Sequence, residues 1–290
     1  MAQTSLFRAF GAAVFLALAV AGCASPQGSL DSAKRACDQN LKRLKDKSCD
    51  AYVAAALQSK DNNEIVQAYS YRALLREFRG DLPGALADTD QALAILPGDS
   101  FNSWRRAALV GESGEYVQAL ELFAKAPPLG SPNGFEENIA MNEYVAGDRA
   151  KAPQLFQTAA VDYAENDHDP DMAAIHRFTA AIIESELKGG DLAPIAAQDV
   201  SARTNTMLPL LKQHRLGEMT DAELIARVDK MTGPAARDNA CDGYFSVGHR
   251  NAIAGNAIEA KQAFQTAVER CNVVSFEHHA AKAWLRQLGV

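Results

Sequence analysis

Apolar residues along this chain fall into two regimes. Near the amino terminus they form one unbroken run, Phe10 to Val20. From residue 33 onward they are interleaved with polar residues in stretches that recur. Gly80-Asp-Leu-Pro-Gly-Ala-Leu-Ala-Asp-Thr-Asp-Gln-Ala92, Gly114 to Ala126 and Gly147 to Ala159 share one layout, with their leading glycines 34 and 33 residues apart. Each carries alanine five residues after the glycine (Ala85, Ala119, Ala152) and another seven later (Ala92, Ala126, Ala159). A fourth copy runs from Gly255 through Ala260 and Phe264 to Ala267. The pattern predicts pairs of helices. The glycine makes the turn, where a left-handed residue costs little, and the alanines let two helices approach closely. Phe123, Phe156 and Phe264 fill the space between successive helices. Pro97-Gly98, Pro127-Pro128 and the stretch Asn166–Pro170 stop the second helices.

Between the third and fourth copies the pattern loosens. Asp171 to Leu187 reads as a helix and Gly189-Gly190-Asp191 as a worn turn. Thr220-Asp-Ala-Glu223 is a capping box opening a helix over Ala222–Met231. Gly233-Pro234 is a break, and Ser275 to Leu288 is a terminal capping helix. Residues 171–235 therefore read as degenerate helical hairpins.

A period near 34 residues with two antiparallel helices per unit resembles the tetratricopeptide (TPR) family. That resemblance covers about two thirds of the chain and implies an all-α, right-handed α-solenoid of antiparallel helix pairs. The small position of the family's first helix matches Ala73, Ala107, Ala140 and Gly248. Thr89 stands where an aromatic is usual, and Pro153 lies near the start of a second helix. The stretch Met207-Leu-Pro-Leu-Leu…Glu223-Leu224, followed by Cys241-Asp-Gly-Tyr-Phe-Ser-Val-Gly248, resembles NlpI-type bacterial lipoproteins over roughly a third of the chain.

The amino-terminal run belongs to an export signal. Arg8 supplies the positive charge, and the run is too short for a membrane span, which needs about 20 apolar residues. Val20-Ala21-Gly22-Cys23 resembles the bacterial lipobox, which implies lipidation of Cys23 and cleavage before it. Several acyl chains, palmitate among them, would hold the protein stably at a membrane. Ala24, rather than aspartate, after Cys23 points by the same resemblance to the outer membrane, with the chain facing the periplasm. The expected organisation is a signal over 1–22, a lipidated tether over 23–32, an N-terminal TPR array over 33–170, degenerate repeats over 171–235 and a last repeat with its cap over 236–290. With Cys23 assigned to lipid, four of the five cysteines remain, an even number suited to an oxidising compartment. Spacing favours Cys37 with Cys49 and Cys241 with Cys271, because each pair brackets a turn or hairpin. Other pairings stay open.

Composition narrows the function. Net charge is −7, which argues against nucleic acid as the main ligand. The chain lacks G-x-S-x-G, H-E-x-x-H and phosphate-binding glycine loops, so no catalytic residue and no cofactor is assigned. No metal is assigned either. Adjacent His278 and His279 point about 100° apart on a helix, and His249 reads as a groove or core residue. The TPR resemblance places a peptide groove on the first helices: Gln67, Ser70, Leu74 and Glu77, then Phe101, Trp104 and Ala108, then Glu137, Met141 and Tyr144. Trp104 is the leading anchor, since aromatic side chains dominate interface hot spots. These readings imply a membrane-anchored scaffold or adaptor for other envelope proteins, such as peptidoglycan hydrolases or a protease. The alternative is an assembly factor of the pilotin or outer-membrane type; an enzyme is the remaining class. The NlpI resemblance also implies self-association as a homodimer.

Overall fold

A computed structural model describes residues 26–41, 47–130, 134–166, 168–200, 207–233 and 235–289. Cys23 and the export signal lie outside them. The described residues form fifteen α-helices packed in adjacent pairs, with no strand among them. No described helix is long and apolar enough to cross a membrane. Two compact units meet in sequence at Leu129–Gly130, inside the stretch expected to form one array.

The N-terminal unit contains α1 (Pro26–Leu41), α2 (Lys47–Ser59), α3 (Asn62–Phe78), α4 (Leu82–Ile95), α5 (Ser100–Glu112) and α6 (Tyr116–Lys125). The stretch expected as a tether is helical from Pro26 onward, because Leu30 is drawn into the core, 4% exposed. Side-chain caps set the helix starts. Asp61 accepts from the Asn63 and Glu64 amides, Asp81 from Gly84 and Asp99 from Asn102. Each satisfies donors that a helix start leaves unpaired. Gly80 and Gly114 adopt φ of +77° and +97° at the α3–α4 and α5–α6 turns. The Cys37–Cys49 disulfide sits in the α1–α3 core beside Tyr52, Ala56 and Leu75. Asp88 on α4, 2% exposed, takes the Arg72 guanidinium through two bonds of 2.7 and 2.9 Å and Arg76 through one of 2.8 Å. A buried carboxylate needs such partners, and these tie α4 to α3.

The C-terminal unit contains α7 (Glu136–Ala146), a 3-10 turn (Arg149–Lys151), α8 (Ala152–Glu165), α9 (Pro170–Leu187), α10 (Ala193–Ala196), α11 (Met207–Arg215), α12 (Asp221–Val228), α13 (Ala236–Ile253), α14 (Ala257–Arg270) and α15 (Phe276–Gln287). Gly255 makes its hairpin turn at φ +81°, as expected. Gly147 does not: its φ is −108°, and the 3-10 turn after it leads into α8. Pro153 is tolerated because it falls in the first turn of α8, where its missing N–H has no helical acceptor. The capping box on α12 is reciprocal, Thr220 accepting from the Glu223 amide and Glu223 from the Thr220 amide. The Cys241–Cys271 disulfide joins the start of α13 to the end of α14.

The four first alanines after the glycines are fully buried, as are Ala73, Ala107 and Ala140 on the first helices. At the fourth such position, Gly248, a Cβ would meet the Phe264 ring at 2.6 Å. The last hairpin also has an unexpected neighbour. α15 packs on both α13 and α7. Phe276 contacts Tyr144 and Phe156 at centroid distances of 5.2 and 5.1 Å, so repeats distant in sequence share one core. Residues 171–235 form an excursion: α9 pairs with α8, and α11 and α12 pack on α13 around a second core of Phe178, Ile195, Leu208 and Leu224.

Candidate functional site

Of the groove residues expected from the sequence, the structure gathers some and separates others. In the N-terminal unit Arg105 links two of them. It bonds Glu77 at 2.6 Å and stands 5.0 Å over the Phe101 ring. Leu74 packs partly buried against the first core. Gln67 accepts from Tyr52 at 3.2 Å, and Ser70 donates to Asn102 at 2.9 Å. Trp104 is half-buried within its own hairpin, its ring 5.4 Å from Phe123 and its indole N–H on the Pro127 carbonyl at 2.8 Å. Met141 and Tyr144 belong to the C-terminal unit and are 2% exposed each, so they offer a peptide no surface. Ala140 and Phe276 pack in the same core cluster.

The densest buried chemistry lies in the C-terminal unit, along the face of α13 that carries Asp242, Phe245, Ser246 and His249. His249 is 1% exposed; its Nε2 meets Glu186 at 3.0 Å and its Nδ1 meets an Arg215 Nη. Arginine can only donate, so Nδ1 accepts and Nε2 carries the proton given to Glu186. Burial first, then the Arg215 cation, holds His249 down to about 4. Glu186 also accepts from the Tyr144 hydroxyl at 2.8 Å and from Arg149. Burial pushes the Glu186 carboxyl up, but the His249 bond and the neighbouring charges outweigh it, and the net direction is down. Trp284 donates to the Tyr144 oxygen at 3.0 Å, so residues on α7, α9, α11, α13 and α15 share one network. A second histidine repeats the device. His214, fully buried, lies between Ser246 at 3.0 Å and Asp221 at 2.8 Å, and burial holds it down to about 4.

Beside this network is a cavity of about 50 Å³. Apolar walls come from α9 (Ile175, Phe178, Ile182), α11 (Leu208, Leu211) and Phe245 and Phe276. Three charged side chains also line it: Arg215, Asp242 and Glu277. Arg215 is 6% exposed, and its Nε and Nη2 have no hydrogen-bond partner. Burial lowers it to about 10, which leaves it a cation at neutral pH. Asp242 and Glu277 are pushed up, foremost by burial and then by neighbouring carboxylates; Glu277 reaches about 7. Their oxygens and the Cys241 sulfur lie within 4.8 Å of one another. That sulfur is tied up in the disulfide. Two carboxylates remain, fewer than the three or four protein ligands of a zinc site.

Sequence reading missed Arg215, Asp242 and Glu277. Their only signal is that Arg215 closes a helix that opens on Met207-Leu-Pro-Leu-Leu211 and Asp242 stands next to a cysteine. The meeting of α9, α11, α13 and α15 that gives them meaning is tertiary. No protein-family model matches the chain, and a comparison with curated proteins finds no significant match.

Proposed function

We propose that this protein is a TPR-type helical solenoid that acts as a scaffold or adaptor for other proteins of the bacterial envelope, anchored by lipid on Cys23 at the outer membrane. The observation that supports it best is the recurrence of one packing unit. Ala85, Ala119, Ala152 and Ala260 are all fully buried, and in the last three of these hairpins the second helix also carries a buried phenylalanine, Phe123, Phe156 and Phe264 in turn. Stacked hairpins of this kind present extended surfaces suited to partner proteins. The two disulfides accord with an oxidising compartment. His214 and His249 have both ring nitrogens held by neighbouring side chains, which favours a structural over a catalytic role for these two.

Site-specific photo-crosslinking tests this reading. A photoreactive residue at Phe101 or Leu74, in cells producing the full chain, should trap a small reproducible set of envelope proteins. Fatty-acid labelling should be lost in Cys23→Ala. Absence of discrete crosslinks from either position, or lipid labelling that survives Cys23→Ala, refutes the corresponding half of the proposal.

A further inference from the structure

One buried cation of the C-terminal unit has donors to spare. Arg215 is 6% exposed and spends one Nη on His249, while Nε and Nη2 have no hydrogen-bond partner among the described residues. Those two nitrogens form the edge by which a guanidinium takes a carboxylate side-on, through two parallel hydrogen bonds. No acid of its surroundings fills that place. Glu186 is bonded by Tyr144, Arg149 and His249, so one carboxylate answers two guanidiniums. His249 is held down to about 4 and stays neutral at pH 7. Asp242 and Glu277 line the same cavity as Arg215, but burial pushes both towards their neutral forms, and Glu277 is bonded to Ser275.

The cavity sets the size of what could meet those donors. Its volume is about 50 Å³. One water-sized atom needs about 10–15 Å³ of such space, so it holds about three to five non-hydrogen atoms. Its walls next to Arg215 in sequence are apolar: Leu211 and Leu208 lie one and two turns back on α11 and also line it. Water alone would satisfy the donors but leave a buried charge unanswered, which is costly. We propose that this cavity binds a small carboxylate monoanion of two or three carbons, such as acetate, its two oxygens on Nε and Nη2 of Arg215 and its short apolar end against Leu208 and Leu211. A tetrahedral dianion fits less well, since it needs more donors than one guanidinium edge offers and the two acids Asp242 and Glu277 line the same space. Partly exposed lining residues, Ile175 and Ile182 among them, give a small solute a way in. The site lies wholly within the C-terminal unit and is independent of the scaffold reading.

Saturation-transfer NMR on the acetate methyl group tests this, with the full chain in deuterated detergent, disulfides intact, at pH 7 and constant ionic strength. Acetate should bind saturably in the millimolar range, which a ligand of four non-hydrogen atoms can reach. Acetamide, pentanoate and chloride are then compared by their power to displace it. Acetamide has the same shape but no charge and turns donors towards donors, pentanoate exceeds the room, and chloride cannot span both nitrogens. Each should be at least about tenfold weaker than acetate, the factor expected for one lost charged contact. Arg215→Met should abolish binding, and Arg215→Lys, which keeps the charge but not the paired donors, should weaken it by at least about tenfold. Absence of saturable acetate binding overturns the proposal, as does displacement by acetamide, pentanoate or chloride at concentrations equal to those of acetate. Undiminished binding to an Arg215→Met variant with native helical content does so too. The four-ligand comparison on the unaltered chain stands even where a variant fails to fold.

Discussion

Gly248→Ala isolates the closest helix contact in the last hairpin. In an open helix this change stabilises, because alanine exceeds glycine in helix propensity by about 1 kcal/mol. Here the new Cβ would lie 2.6, 2.8 and 2.9 Å from Cδ1, Cε1 and Cγ of Phe264. The ring cannot swing away freely: it is fully buried, 5.9 Å from Phe245 and stacked at 6.0 Å on Trp284. Overpacking of this kind costs about 1–3 kcal/mol, so the expected net effect is a loss of about 1 kcal/mol. Phe264→Leu removes the obstacle, and in that background Gly248→Ala should be neutral or stabilising. The coupling between the two changes, measured as a double-mutant cycle, should be about 1–2 kcal/mol. Urea unfolding followed by Trp284 fluorescence in a Trp104→Phe background reads the C-terminal unit alone. That matters because two units need not unfold together. A Gly248→Ala protein about 1 kcal/mol more stable than its parent would refute the reasoning.

Two further predictions concern the same unit. Removing the Cys241–Cys271 bridge by paired alanines should cost about 3–4 kcal/mol, because the bridge closes a separation of 30 residues in the unfolded chain, and chemical denaturation of oxidised and variant proteins reads it. Glu277→Gln should raise stability relative to wild type by a margin that grows with pH. The folded carboxyl is raised from 4.5 to about 7, so the unfolded state ionises first and wild-type stability falls as pH climbs through that window. Glutamine does not ionise, and its advantage should reach about 1–3 kcal/mol above pH 7; an advantage that does not change between pH 4.5 and 8 would contradict the assignment.

Much of the local architecture is written in short-range patterns. Gly80, Gly114 and Gly255 mark left-handed turns because the residue itself makes that backbone cheap. Asp61, Asp81 and Asp99 cap helices with their own side chains. The Thr220–Glu223 box is closed within four residues. The alanines of the repeat are buried because helix pairs joined by short turns must pack on each other. Cysteine spacing pointed to both disulfides for the same reason: antiparallel hairpin ends are neighbours.

Tertiary structure alone decided what depends on helices far apart in sequence. The sequence placed Trp104, Met141 and Tyr144 on first helices, but whether a side chain on a helix face meets solvent depends on what covers that face. Tyr144 and Met141 are buried in the core that Phe276 and Ala280 of α15 complete, while Trp104 turns to Phe123 and the Pro127 carbonyl. The division at Gly130 was hidden because a repeat pattern fixes hairpins, not which hairpins share a core. Arg215, Asp242 and Glu277 are ordinary surface residue types in sequence. They become a charged cavity only where α9, α11, α13 and α15 converge and desolvation raises the energy of every unpaired charge.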